Sequence, residues 1–396
     1  MREILKLKDV CQISGGYAFK STQYKSEGTA LIRIGDISEK IVEISDGSVY
    51  IDDDISKYDK FIIKKGDILV ALSGATTGKF GIYNYDELAL LNQRVAKISP
   101  NELVYNSYLF YYMNKLKDII YSKALGCAQP NISPTEISEL EIYVPNLETQ
   151  KKIAEVLDKA QELIDKRKEQ IEALDELVKS RFIEMFGDPV LEEKYIKYSI
   201  DDIKANEKFS IVDGPFGASL KNGDYVEDGI PIIRINNIQP CNYYDGEYKY
   251  ISNEKYEELI RSKVEKNDIL MARVGNTIGK SCIFDKDFKA LLSTTGVCKI
   301  KCKVEIANNV FIMRQLNMPT FREYIWRNIK GSGQPCLNLT TIKGLKVILP
   351  PIELQNQFAD FVKQVDKLKS QMENSLKELE DNFNSLMQKA FKGELF

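Results

Sequence analysis

Asp67-Ile68-Leu69-Val70-Ala71 returns 201 residues later as Asp268-Ile269-Leu270-Met271-Ala272. Ile32-Arg33-Ile34 returns at the same offset as Ile233-Arg234-Ile235, and Gly78-Lys79 returns as Gly279-Lys280. Farther on, Gln129-Pro130 returns as Gln334-Pro335, Pro145 as Pro350 and Gln150 as Gln355, now at an offset of 205. The second copy therefore carries four extra residues between Lys280 and Gln334. A period near 200 residues is far too long for a solenoid unit. It describes two copies of one domain, each followed by the same kind of tail.

Each copy reads as mixed α and β. Segments 67–72, 80–85 and 89–98 have the short apolar character of strands, with glycine-rich loops between them. Segment 107–125, rich in tyrosine, reads as a helix. Ser133-Pro134-Thr135-Glu136 is a capping box with proline at the first helical position, and Asn338 can cap at the matching place in the second copy.

The tail is a long helix. The first opens at Pro145-Asn146-Leu147-Glu148 and stops at Phe186-Gly187-Asp188-Pro189, glycine then proline. Ile153, Leu157, Ala160, Ile164, Arg167, Ile171, Leu174, Val178, Arg181 and Met185 alternate steps of four and three. Phe358, Val362, Val365, Lys369, Met372, Leu376, Leu379, Phe383, Leu386 and Ala390 do the same in the second tail. Such a 3.5-residue period is a coiled-coil seam. Arg167 and Arg181 interrupt the first seam and Lys369 the second, so the defects do not coincide. Pairing the two unlike helices lets each charge face an apolar or acidic neighbour. The pattern predicts an intramolecular pair, antiparallel, about 50 Å long at about 1.5 Å per residue.

Composition narrows the function. The chain has 396 residues, 43% hydrophobic, 29% charged and 10% aromatic, enough for two or three packed domains. Fifty-five basic against 58 acidic residues give a net charge of −3, which excludes a uniformly basic coat but not local basic loops. Histidine is absent, which removes His-dependent nucleophilic triads, His acid–base catalysis and His-bearing metal sites. The seven cysteines are scattered without a C-x-x-C pair and read as small core hydrophobes. Residues 1–10 alternate charge and apolarity, unlike a secretory leader, and no apolar run approaches ~20 residues. A cytoplasmic, reducing setting is expected, without a membrane partner.

Two glycine loops invite comparison with phosphate-binding loops. Ser73-Gly74-Ala75-Thr76-Thr77-Gly78-Lys79 and Gly275-Asn276-Thr277-Ile278-Gly279-Lys280-Ser281 each fall one residue short of G-x-x-x-x-G-K-[ST], and a strand rather than a helix comes next. They read as tight strand-to-strand turns, or as backbone-amide and lysine contacts (Thr76, Thr77, Lys79; Asn276, Thr277, Lys280) to a DNA phosphate. Nucleotide hydrolysis is the weaker rival. No N-P-P-Y-like loop, no G-x-G-x-x-G after a strand and no isolated carboxylate pair marks a methyltransferase or other active site.

Positions that differ on a shared frame are candidates for base reading. Directly after the matching pairs Leu90-Leu91 and Leu291-Leu292, Asn92-Gln93-Arg94 aligns with Ser293-Thr294-Thr295 at the 201 offset. Asn and Gln can bond adenine bidentately and Arg can bond guanine; the alternative is two solvated strand ends. The loops 15–20 and 214–221, with Tyr17, Lys20, Phe216, Ser219 and Lys221, are parallel candidates, or else hydrophobic plugs with a surface lysine. Arg33 and Arg234, which recur, are expected to be structural and paired with carboxylates.

Taken together, these features resemble the specificity subunit of type I restriction-modification systems over essentially the whole chain. The resemblance is carried by Gly66-Asp67-Ile68-Leu69-Val70-Ala71 through Gly78-Lys79 and its second copy, by Gln129-Pro130-Asn131-Ile132-Ser133, and by the helix openings Pro145-Asn146-Leu147-Glu148-Thr149-Gln150 and Pro350-Pro351-Ile352-Glu353-Leu354-Gln355. Cys336-Leu337-Asn338 departs from Asn131-Ile132-Ser133. The resemblance implies two target-recognition domains, 1–145 and 188–349, and two spacer helices, 146–187 and 350–396, in a pseudo-twofold arrangement. It implies that each domain reads half of a bipartite, asymmetric DNA site and that the helix pair sets the spacing. It implies as partners double-stranded DNA, two adenine-methylating modification subunits, which carry the S-adenosylmethionine, and restriction subunits. No active site and no cofactor are expected in this chain. A free-standing two-module DNA-binding regulator and a coiled-coil protein-binding scaffold are the alternatives.

Overall fold

The structure is a computed structural model describing residues 3–38, 40–125, 130–217, 219–294, 296–329 and 335–396. Cys127, Gln129, Thr295 and Gln334 lie outside the described residues. The chain divides into two units, Met1–Lys168 with Asn374–Phe396, and Glu169–Glu373.

In the first unit, Ile68–Ala71 is a strand with all four side chains buried. Alternation explains the unbroken apolar run: Ile68 and Val70 join the core shared with the helices, and Leu69 and Ala71 join a second core on the opposite face. Its sheet runs Cys11–Gly15, Val95–Pro100, Ile68–Ala71, Phe80–Ile82, Lys40–Ile41. A second five-stranded sheet runs Tyr24–Lys25, Val49–Ile51, Thr29–Ile32, Ala89–Leu91, Ile62–Ile63, and there Thr29–Ile32 and Ala89–Leu91 are parallel.

The second unit repeats this topology without a counterpart of Lys40–Ile41 in the first sheet. One sheet runs Ile211–Asp213, Val297–Ile300, Ile269–Ala272, Ser281–Ile283. The other runs Tyr225–Val226, Lys249–Ile251, Ile230–Ile233, Ala290–Leu292, Lys263–Val264, with the matching parallel pair. Ile269 and Met271 face the helix-side core, Leu270 and Ala272 the other. Asp67 and Asp268, which open the repeated strands, accept hydrogen bonds from the amides of Lys64 at 2.8 Å and Glu265 at 2.9 Å. The repeated aspartate thus fixes a turn.

One sequence expectation needs correction, and one element differs between the two copies. Residues 89–98 are not one strand: Ala89–Leu91 and Val95–Pro100 belong to different sheets, and the chain turns between them at 92–94. The tyrosine-rich helix Asn106–Ala124 has two shorter helices in the second unit, Asn309–Leu316 and Pro319–Arg327, because Pro319 starts a new helix.

The tails are helices of 40 residues, Leu147–Phe186, and 41 residues, Ile352–Lys392. In the first unit, Ile153, Leu157 and Ile164 share a core with Phe383, Ala390 and Phe391. Lys40 Nζ donates to Gln161 at 3.2 Å and sits 5.2 Å above the Phe383 ring, while Lys168 pairs with Glu380 at 3.2 Å. Rising numbers on one helix meet falling numbers on the other, so this pair is antiparallel. In the second unit the sense is the same: the Phe182 and Phe358 rings lie 5.4 Å apart and Lys369 pairs with Asp175 at 2.6 Å.

The first seam departs from the four-three pattern at its end. Arg181 is 43% exposed and bonded to Glu184, whereas Phe182 and Phe186 are buried. From Leu174 the buried positions are 174, 178, 182 and 186, every fourth residue. Phe182 and Phe186 pack on Phe311 of their own unit at 5.4 and 4.9 Å. Aromatic burial takes the seam position and leaves the guanidinium in water.

Each long helix is locked at its start by a fully buried glutamine. Gln150 Nε2 donates to Leu103 O at 2.9 Å and Pro145 O at 2.7 Å, and its Oε1 accepts from Tyr105 N at 2.8 Å. Gln355 repeats the set with Ile306 O at 3.0 Å, Pro350 O at 2.7 Å and Asn308 N at 2.9 Å.

Candidate nucleic-acid interface

In the first unit three candidate segments are stitched together by backbone hydrogen bonds. Tyr17 N donates to Leu91 O at 2.8 Å, Gln93 N to Tyr17 O at 3.0 Å, and Gly16 N to Val95 O at 3.2 Å. The 92–94 turn joins the glycine–lysine loop through Leu72 N to Arg94 O at 2.9 Å, and that loop joins the Pro130 segment through Gly74 N to Pro130 O at 3.0 Å. Gly16 is required by this closeness: a Cβ there would overlap the Asn92 carbonyl.

The second unit makes the same junctions. Gly214 N donates to Val297 O at 3.4 Å, Arg273 N to Gly296 O at 2.9 Å, and Gly275 N to Pro335 O at 3.2 Å. A Cβ on Gly214 would overlap the Ser293 carbonyl.

The bonds also correct the alignment of the two turns. Asn92 N and Ser293 N donate to Ile32 O and Ile233 O, at 3.2 and 2.8 Å. Arg94 O and Gly296 O accept the closing bonds from Leu72 N and Arg273 N. Residues 92–94 therefore match 293–296, one residue longer, and Arg94 corresponds to Gly296 rather than Thr295.

Side-chain placement differs within each group. Tyr17, Lys20, Gln93 and Arg94 are exposed. The Tyr17 ring rests on Phe19, Tyr58 and Phe61, with centroids 4.9, 5.4 and 5.3 Å away. Asn92 is buried, and its Oδ1 accepts from Arg94 N at 3.4 Å, so it shapes the turn. Thr77 is buried and donates to Gly74 O at 2.8 Å; Thr76 and Lys79 are half-buried. In the second unit Phe216, Ser219, Lys221 and Asn276 are exposed, and Thr277, Lys280, Ser293 and Thr294 are half-buried. Thr277 donates to Val274 O at 2.9 Å. Phe19 and Leu220 plug their loops from below, while Lys20 and Lys221 cap short turns through Gln23 at 2.9 Å and Asp224 at 2.6 Å.

The glycine–lysine loops are poorly suited to wrap a nucleotide phosphate. The amides of Gly74, Thr77, Gly78 and Lys79 are committed to Pro130 O, Gly74 O, Ala71 O and Thr76 O. A P-loop needs such amides directed at the anion.

Arg33 and Arg234 occupy matching places, but only one meets a carboxylate. Arg33 Nε lies 3.8 Å from Asp36 and its Nη2 donates to Gly47 O at 3.2 Å. Arg234 donates to the backbone Glu247 O at 2.7 Å, because Asn237 stands where the first unit has Asp36. Cys11, Cys298 and Cys302 are buried, and burial pushes their thiols up to about 12. Cys336 is exposed.

One cluster was not legible in the sequence. Asp213 Oδ2 accepts from Arg273 Nη1 at 2.7 Å and Oδ1 accepts from Arg261 Nη2 at 3.0 Å. Arg273 Nε donates to Leu337 O at 2.7 Å. Three residues distant in sequence form this chain. Its only local signal is an aspartate ending a strand before Gly214-Pro215.

Among the described residues no helix is long and apolar enough to cross a membrane. The family model for the type I restriction modification DNA specificity domain matches residues 2–174 and again 203–381. The EcoBI type I restriction enzyme specificity subunit of Escherichia coli is 28% identical over 423 residues, covering 99% of this chain and 85% of that protein. The MjaVIII specificity subunit of Methanocaldococcus jannaschii is 23% identical over 370 residues, covering 90% and 81%. Among solved structures, the S subunit of a type I system from M. genitalium superposes with a TM-score of 0.53 at 18% identity, covering 99% of this chain and 96% of that one. A chain from a structure of type I R-M complex assembly and conformational transition gives 0.59 at 16% identity, covering 100% and 98%.

Proposed function

The chain belongs to the family of type I restriction-modification DNA specificity subunits, and from that membership we propose that it is the non-catalytic part of its complex, each recognition domain reading one half of a bipartite, asymmetric DNA site. The domains are 1–145 and 188–349. The helices at 146–187 and 350–396 set the gap between half-sites and dock two adenine-methylating modification subunits, which hold the S-adenosylmethionine. Restriction subunits join this core, and the complex works in the cytoplasm.

The observation that carries this reading is the repeated junction of three loops on one frame, furnished with different side chains. The first domain offers Tyr17, Lys20, Gln93 and Arg94; the second offers Phe216, Ser219, Lys221, Asn276, Ser293 and Thr294. Equal scaffolds with unequal polar tips suit two different half-sites. Thr76, Lys79, Thr277 and Lys280 serve the phosphate backbone beside them, with Asn92 and Thr77 shaping the turns.

Co-expression with the cognate modification subunit, followed by long-read methylome mapping, tests it. The expected result is adenine methylation at one asymmetric motif with two specific parts and an unspecified gap. Methylation at a continuous motif, or tight sequence-specific binding by the chain alone, would count against it.

A further inference from the structure

We propose that Arg261 contacts a guanine in the half-site read by the second domain, held in place by Asp213; this rests on the recognition reading above. Arg261 follows the helix Asn253–Glu258 in a short turn, Ile260–Ser262, whose Ser262 hydroxyl donates to Asp213 O at 2.9 Å. Its side chain is 40% exposed, yet Asp213 Oδ1 fixes one Nη2 proton at 3.0 Å. Asp213 is itself buried and braced from behind by Arg273, 6% exposed. Two guanidinium groups share one carboxylate, so the trio keeps a net positive charge, and only Arg261 brings that charge to the surface.

The neighbours fit a groove contact. The Phe216 ring, 63% exposed, lies 6.0 Å from the Arg261 guanidinium, and an aromatic face lowers the mobility of an exposed arginine. The loop carrying Phe216 is three residues longer, from Gly214 to Lys221, than its match from Gly16 to Lys20. A guanidinium with one proton tied back still offers paired donors for guanine O6 and N7. Ordering by Asp213 removes rotamer entropy that a free side chain would lose on binding.

The first domain lacks this device. Matching backbone bonds place Gly15, Leu72 and Lys60 where the second domain has Asp213, Arg273 and Arg261. A carboxylate-anchored fork cannot form there. Asp213 is a positioning residue, acting through Arg261.

The test uses the full chain assembled with its modification subunits on a randomised target library, read by long-read methylation mapping. Arg261→Lys keeps the charge and loses the fork. Expected is a loss of preference of about tenfold or more at one guanine of the second half-site, with the first half-site unchanged. Asp213→Asn should relax the same position to a lesser degree. Thermal melting of both variants within a few degrees of wild type separates this from unfolding, and Arg261→Gln serves if Asp213→Asn melts early. An unchanged motif overturns the inference while leaving two-domain recognition standing. For Arg261→Gln, which removes the charge, a uniform loss of binding over all sequences with the salt slope falling by about one marks a phosphate contact and also overturns it. A wild-type complex with no bipartite motif would instead remove the reading on which it rests.

Discussion

Lys369 Nζ donates to both carboxylate oxygens of Asp175, at 2.7 and 2.6 Å, linking the two long helices inside the second unit. Lysine at a seam position is costly unless an acidic group on the partner helix meets it, and here one does. Reversing either charge alone should lower the melting temperature, and the double swap Asp175→Lys with Lys369→Asp should restore most of it. Both groups are partly solvated, so the coupling should be about 0.5–1 kcal/mol. A double-mutant cycle measures it; zero coupling would mean that the contact does not organise the helix pair.

The glutamine locks carry more. Gln150→Leu leaves Leu103 O, Pro145 O and Tyr105 N buried without their partners, and Gln355→Leu does the same in the second unit. Each should cost about 3 kcal/mol. Gln→Glu should be no better, since a carboxylate cannot donate to two carbonyls. Hydrogen exchange at the opening turn of each helix would report the loss locally.

Gly214→Ala should damage the second recognition surface, because its Cβ would overlap the Ser293 carbonyl. The expected outcome is lost or blurred preference in one half-site with the other retained. Gly16→Ala should do the converse. Methylome motifs of the two variants, compared side by side, check this.

Lys263 and Lys301 hydrogen-bond to Glu265 and hold its carboxyl down at about 2, below its usual 4.5. A depressed folded-state pKa stabilises above the unfolded value and is lost as pH falls. The window therefore runs from about 4.5 down to about 2. Glu265→Gln should lower the melting temperature modestly at pH 7, and its difference from wild type should shrink as the pH falls through that window. The group is more than a third exposed, so screening limits the effect to about 1 kcal/mol or less.

Much of the fold was legible because it rests on repeated local signals. Asp67 and Asp268 mark the buried strands, and the seam residues mark the helices. The features that escaped notice depended on tertiary competition. Arg181 fits the seam by spacing, but Phe182 beside it buries more apolar surface against Phe311. The turn at 293–296 hides an extra residue that only the backbone bonds of Ser293 and Gly296 reveal. Asn92 reads as a base contact by type, yet its amide turns inward to Arg94 N. Arg261 has no motif at all, since its meaning depends on Asp213, 48 residues earlier.

The spacer reading makes a quantitative prediction. One heptad added to each long helix, in register between the two halves of the seam, adds about 10 Å. At about 3.4 Å per base pair the unspecified gap should grow by about three. Both half-site sequences should stay as they were.

Exchanging residues 1–145 for the matching domain of another specificity subunit, then mapping the methylome, addresses two-domain recognition most directly. One half-site should take the donor's sequence while the other half-site and the gap are kept. A change in both half-sites, or in neither, would contradict it.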